Sequence, residues 1–118
     1  MTMNEEITRY MESLTDSFQA NKGNGIDTII QFNFSDPVVD SWYVEIQKNK
    51  CSALRGTKDN ASITVSVDPK IFLDIQNGKI MANMAVSRGK MRLSGDLSLA
   101  FRLGSCFNLP RGMKFQLL

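Results

Sequence analysis

Apolar residues recur at Ile7, Met11, Leu14 and Phe18, a spacing that predicts an opening helix with one buried face. Asn4 can cap it, and Glu5 and Glu6 suit the positive end of its dipole. Gly23 and Gly25 interrupt this pattern, and the period then changes to two. Across 27–34, Thr28, Ile30, Phe32 and Phe34 alternate with Ile29, Gln31 and Asn33, which predicts a strand. After the Asp36-Pro37 turn, Trp42, Val44 and Ile46 alternate with Tyr43, Glu45 and Gln47 in a second strand. A third is expected near Cys51 to Arg55. Beyond the polar loop from Gly56 to Asn60, Ile63, Val65 and Val67 alternate with Ser62, Thr64 and Ser66 in a fourth. These four strands read as an antiparallel meander.

The second half is organised differently. Asp68 followed by Pro69 gives an N-cap and a proline at the first helical position, predicting a short helix through Ile75 that stops at Gly78. Phe72 and Ile75 form its apolar face. Lys79 to Arg88 predicts another short helix, carrying Met81, Met84 and Ala85 and ended by Gly89. In Lys90 to Ser94, Met91 and Leu93 alternate with charged or polar partners, a fifth strand. Gly95-Asp96 turns and caps a last helix, Leu97 to Phe107, whose Leu97, Leu99, Ala100, Phe101, Leu103, Cys106 and Phe107 cover far more than one face. An apolar tail of Leu109, Met113, Phe115, Leu117 and Leu118 follows, broken by Pro110 and Gly112. Without an internal repeat or a long linker, residues 1–118 are expected to form a single domain.

Composition narrows the chemistry. With 42% apolar residues, 22% charged and a net charge of +2, the chain is an ordinary globular sequence with no block of cations to track a nucleic acid. The same near-balance permits transient contact with an anionic membrane surface. Cys51 and Cys106 form no CxxC pair and are expected as buried free thiols. Glu5, Glu6, Arg9 and Glu12 break any apolar run of a secretory leader, no stretch is long enough to span a membrane, and the C-terminal Gln116-Leu117-Leu118 is no peroxisomal address, so a cytoplasmic location is expected. There is no histidine, which removes the commonest general base near neutral pH and every histidine metal ligand. Glu5 and Glu6 are adjacent, so on a helix they point apart. Gly23-Asn24-Gly25 precedes a strand where a dinucleotide loop would open a helix. The expectation is a protein that is not an enzyme, with no cofactor and no metal site.

Specific runs carry a family likeness. Trp42-Tyr43-Val44-Glu45-Ile46 with Lys48-Asn49, Ala61 to Val65, and Phe72-Leu73 through Gly78-Lys79 are similar to strands and a helix of the sterol carrier protein type 2 family. The longest match runs from Gly89-Lys90-Met91-Arg92-Leu93-Ser94-Gly95-Asp96 into Leu97-Ser98-Leu99-Ala100-Phe101-Arg102-Leu103. The chain therefore resembles that family over most of its length after Gly25. The resemblance implies an α+β fold, a five-stranded, mostly antiparallel sheet covered by helices, with an apolar tunnel between them. It implies binding and carriage of a lipid, whether fatty acid, fatty acyl-CoA, sterol-like or isoprenoid. Phe72, Ile75, Met81, Met84, Ala85, Met91, Leu93, Leu97, Ala100, Phe101, Leu103 and Phe107 would line the tunnel, and Met113, Phe115 and Leu117 would form a lid. The unbranched methionines suit an adaptable apolar wall, although for any one of these residues ordinary core packing competes. Lys90, Arg92 and Arg102 could steer acidic head groups, and solvated faces explain them too. The alternative reading is an accessory domain that presents a lipid intermediate to a partner enzyme, or a member with a filled tunnel acting by protein contact.

Overall fold

The computed structural model describes Met1–Leu118. Its first helix, α1 (Met3–Asp16), is capped by Thr2, two residues earlier than Asn4 suggested. The Thr2 hydroxyl accepts the Glu5 N–H at 3.2 Å while the Glu5 carboxylate accepts the Thr2 N–H at 3.0 Å, a reciprocal capping box. Asn4 serves a tertiary role instead. Its side chain donates to the Val38 carbonyl at 2.8 Å and accepts the Asp40 N–H at 3.0 Å, fastening α1 to the turn before the second strand. Ile7, Tyr10, Met11 and Leu14 are buried, as their spacing requires.

The strands are β1 (Thr28–Phe34), β2 (Trp42–Gln47), β3 (Lys50–Arg55), β4 (Ile63–Val67) and β5 (Met91–Gly95), in the spatial order β3-β2-β1-β4-β5. β1, β2 and β3 form the expected meander, with Ile30 opposite Val44 and Val44 opposite Ala53. β4 corrects the reading of four meandering strands. It pairs parallel with β1, Ile30 opposite Ile63, and β5 closes antiparallel on it, Val65 opposite Leu93. The cause is the 56–62 connection, which crosses the sheet instead of turning back. The Gly56 N–H donates to the Ser41 carbonyl, the Lys58 N–H to Gln31 Oε1, and the Ser62 N–H to the Ile29 carbonyl. Gln31 Nε2 also donates to the Gly56 carbonyl at 3.2 Å. The buried Gln31 is thus a fastener for the crossing strap, and Lys58 completes it with an ion pair to Glu45 at 3.0 Å.

Register sorts the sheet into two faces. Ile30, Phe32, Val44, Ile46, Ile63, Val65, Val67 and Met91 point to one side and are buried. The other side presents Tyr43, Glu45, Thr64, Ser66 and Arg92 beneath or beside the strap. The helices therefore shelter one face only. α2 (Pro69–Gln76) starts on Asp68, whose carboxylate accepts the Lys70 and Ile71 N–H groups. α3 is shorter than the predicted 79–88: it spans Ala82–Ser87, because Met81 holds extended backbone and offers no side-chain cap. α4 likewise covers only Leu97–Leu103, passing into a 3-10 turn at Gly104–Cys106 before Phe107 becomes extended. Gly95 sets where α4 begins. Its φ is +105°, and a Cβ there would collide with the Ser62 carbonyl, so β5 can end this close to β4 only with glycine.

Candidate functional site

A chain of aromatic rings runs through the layer between the sheet and the helices. Tyr10 meets Phe72 edge-on at 5.4 Å, and Phe72 meets Phe32 at 5.4 Å and Phe34 at 5.5 Å. Phe32 reaches Phe115 at 6.3 Å, Phe115 meets Phe107 at 5.0 Å, and Phe107 meets Phe18 at 5.5 Å. Sheet, α1, α2 and tail all contribute, so the apolar face of the sheet is roofed by side chains from across the sequence.

The expected lining residues divide into two groups. Phe72, Ile75, Ala85, Met91, Ala100, Leu103 and Phe107 are buried in this layer, and Leu93 is half-buried beside it. Met81, Met84, Leu97 and Phe101 are exposed, Phe101 at 73%, and so lie outside it. Only part of the broad apolar coverage of the last helix meets the core: α4 buries Ala100 and Leu103 and turns Leu97 and Phe101 to solvent. Met113 is half-buried, while Phe115 and Leu117 are within the core at 3% and 1% exposure.

The tail is held by a polar clamp that the alternation of apolar residues did not reveal. Gln76 is fully buried at the end of α2. Its Oε1 accepts the Gln116 N–H at 2.8 Å, and its Nε2 donates to the Gln116 carbonyl at 2.9 Å, as a neighbouring strand would. The Lys114 N–H donates to the Gln76 carbonyl at 2.7 Å, Gln116 Nε2 donates to the Ile75 carbonyl at 3.0 Å, and the Tyr10 hydroxyl donates to the Lys114 carbonyl at 2.7 Å. The phenol of Tyr10 completes α1's buried face, one turn from Ile7 and Leu14. Gln76 carried no signal except its position on the apolar side of α2.

Three open clefts border this layer. One of about 530 Å³ lies between α1 and α2, with a mixed polar and apolar lining that includes Glu6, Arg9, Tyr10, Lys70, Asp74 and Met113. A second of about 360 Å³ is bounded by Phe34, Ser66, Lys90 and Arg92. The third, about 350 Å³, lies between the 3-10 turn and the tail and includes Phe107, Leu109, Met113 and Phe115. It touches the expected site most directly, since three of its residues were expected as lining or lid. The Phe107–Phe115 ring pair stands between this cleft and Phe32.

Electrostatics gives no group displaced toward neutrality. Burial pushes the Cys51 thiol up to about 12 and raises Cys106 as well, and it holds the Tyr10 phenol well above its ordinary value. Glu5 is lowered by the Thr2 N–H, and Asp96 by the Leu99 N–H and the Ser98 hydroxyl. The acids move down and the weak acids up, away from the range useful for proton transfer. Both cysteines are free, Cys106 buried and Cys51 half-buried. No helix is long and apolar enough to cross a membrane.

Comparison with known proteins agrees with this architecture. The model of the SCP-2 sterol transfer family matches residues 8–108. Over 68 residues the chain is 37% identical to peroxisomal multifunctional enzyme A of Dictyostelium discoideum, a match covering 55% of this chain and 15% of that enzyme. Among solved structures, sterol carrier protein 2 like 2 of Aedes aegypti superposes with a TM-score of 0.71 at 24% identity, covering 86% of this chain and 93% of the other. The stereoselective inverting sec-alkylsulfatase Pisa1 from Pseudomonas gives a TM-score of 0.76 at 17% identity, over 95% of this chain but 17% of that one. The chain thus spans less than a fifth of the curated enzyme and of the sulfatase that it matches.

Proposed function

This chain belongs to the SCP-2 sterol transfer family, and from that premise we propose that it binds and carries a long-chain fatty acid or fatty acyl ligand without transforming it. The carrying observation is the one-sided sheet, whose sheltered face is lined by aliphatic and aromatic side chains and is parted from a surface cleft by the Phe107–Phe115 ring pair. A palmitated form of the Aedes aegypti relative shares the fold, with a TM-score of 0.61 at 24% identity, which supports an acyl chain as the ligand class. Here the chain would enter through the cleft between the 3-10 turn and the tail. Phe115 would swing aside from Phe107, and the acyl group would lie along Phe72, Ile75, Met91, Leu93, Ala100 and Leu103. Met113 and Leu117 would close behind it.

The directions of the pKa shifts support carriage over catalysis, since the perturbed groups have all moved away from neutrality. The free thiols agree with a cytoplasmic setting. In the longer enzymes that it matches, a domain of this kind is a small share of the chain, which supports delivery of lipid to a catalytic partner.

Displacement of a fluorescent fatty acid tests the reading. Each added methylene should contribute about 0.8 kcal/mol, so two more carbons should tighten binding roughly tenfold until the site is full. Affinity independent of chain length, or absence of displacement by any lipid, would overturn it.

A further inference from the structure

β3 ends the sheet on an open edge. The Lys48-Asn49 turn has φ of +52° and +60° at its two residues, a mirror-image turn that makes Gln47 and Lys50 a hydrogen-bonded pair. Bonded pairs then recur at every second position, Glu45 with Ser52 and Tyr43 with Leu54, and the Gly56 N–H donating to the Ser41 carbonyl continues the series. Lys50, Ser52 and Leu54 therefore turn their main-chain groups to β2. Cys51, Ala53 and Arg55 point theirs outward, and none of those N–H or carbonyl groups meets another residue.

An open edge is normally blunted by a proline, a bulge, a covering element or charge. β3 has no proline, pairs with β2 through six consecutive positions without a bulge, and carries no charged side chain from Cys51 to Leu54. The opposite edge, β5, has α3 against it. Leu54 is 47% exposed, while Cys51 and Ala53 are small and half-buried, so an added strand finds an apolar neighbour on one face and little bulk on the other. Charge says what such a strand carries. Residues 48–58 contain Lys48, Lys50, Arg55 and Lys58 and no acid. Arg55 and Lys58 are paired with Asp40 and Glu45, but Lys48 and Lys50 have no anionic partner and stand together at the hairpin end of the edge. A second copy is a poor guest: antiparallel pairing centred on Ala53 sets Lys50 of each copy opposite Gly56, next to Arg55, and Lys48 opposite Lys58.

We propose that β3 is a docking edge for an extended acidic peptide segment of another protein, which adds to the sheet as a further antiparallel strand with its acidic C-terminal end over Lys48 and Lys50. Such a segment takes its affinity from main-chain bonds to Cys51, Ala53 and Arg55, and its direction from the two lysines. A guest running antiparallel to β3 ends beside Lys50, which is why the acids belong at its C-terminal end. The edge lies outside the sheltered layer, so docking does not depend on the acyl reading.

Titration of the isotope-labelled intact chain with a synthetic peptide of alternating valine and threonine ending in two glutamates, followed by amide hydrogen exchange, tests it. In the free protein the Cys51, Ala53 and Arg55 amides should exchange quickly. The peptide should protect these three and leave Ser52 and Leu54, already bonded to β2, little changed. Binding should weaken as salt is raised, and joint Lys48→Gln and Lys50→Gln should weaken it about fivefold. Ala53→Pro removes one outward N–H and none of the β2–β3 bonds, so it should weaken binding about tenfold at a nearly unchanged melting temperature. Whatever that variant does to folding, the same peptide N-methylated along its pairing edge should not bind. The proposal is overturned by absence of protection at Cys51, Ala53 and Arg55, by equal binding of the N-methylated peptide or of one ending in two lysines, or by protection of the same amides through self-association of the free chain. No lipid enters the measurement, so it stands or falls apart from the acyl reading.

Discussion

Replacing Gln76 with Glu should convert a stable domain into one whose stability depends on pH. The side chain keeps its shape, and Oε1 can still accept the Gln116 N–H. What it loses at neutral pH is the Nε2 donor to the Gln116 carbonyl, and in its place a carboxylate oxygen faces a carbonyl oxygen 2.9 Å from the former nitrogen. A buried acceptor without a donor costs about 1–3 kcal/mol, and a fully buried unpaired charge raises the cost to about 3–5 kcal/mol. For a chain of this size that corresponds to a loss of roughly 10–20 °C in melting temperature. Protonation restores the donor, so the folded state favours the neutral acid and raises its pKa above the unfolded value of about 4.3. A raised folded pKa gives stability that is present below the unfolded pKa and lost as pH rises through the folded one. The variant should therefore approach the parent at about pH 4 and fall away from it toward neutrality. Parallel urea titrations of both proteins at the two pH values measure the gap, with the parent correcting for every other carboxylate. A gap of the same size at both pH values would refute the role given to Gln76.

Two further outcomes follow from the tail and the thiols. Phe115→Ala removes a core ring that touches Phe32 and Phe107 and should cost about 3–5 kcal/mol; if Phe115 also gates entry, stopped-flow release of a fluorescent fatty acid from the folded fraction should accelerate, and unchanged release would leave it a packing residue alone. Cys51, with its thiol held up to about 12, should resist iodoacetamide at neutral pH until the protein unfolds, and its contribution to stability should fade as pH climbs from its unfolded pKa of about 8.5 toward the folded value; rapid alkylation of the native protein would contradict this.

Local patterns gave away most of the elements. Alternation marked β1, β2, β4 and β5 because one face of the sheet is sheltered and the other wet, and Asp68-Pro69 marked α2 because a cap and an N1 proline are decided within a few residues. Thr2-x-x-Glu5 is equally a capping-box pattern in the sequence, and Asn4 beside two glutamates competes with it as a cap. The parallel β1–β4 pair was not legible, because alternation says which face a residue takes and nothing about which strand lies beside it. The buried Phe72, Ile75, Met91, Ala100 and Leu103 lie on the sheltered side, where a lining residue would have to be. The exposed Met81, Met84, Leu97 and Phe101 do not, since hydrophobicity alone cannot distinguish a residue facing a core from one facing an external apolar surface.

The parallel pairing also bears on how the chain assembles. The β2–β3 hairpin closes with Gln47 opposite Lys50, and β1 joins β2 with Phe32 opposite Trp42, both from nearby sequence. Ile30 and Ile63 must meet from 33 residues apart, which costs about 1 kcal/mol more in closure entropy than the Phe32–Trp42 contact. β5 pairs only with β4, so the outer strand can join the sheet only after this non-local encounter has been made.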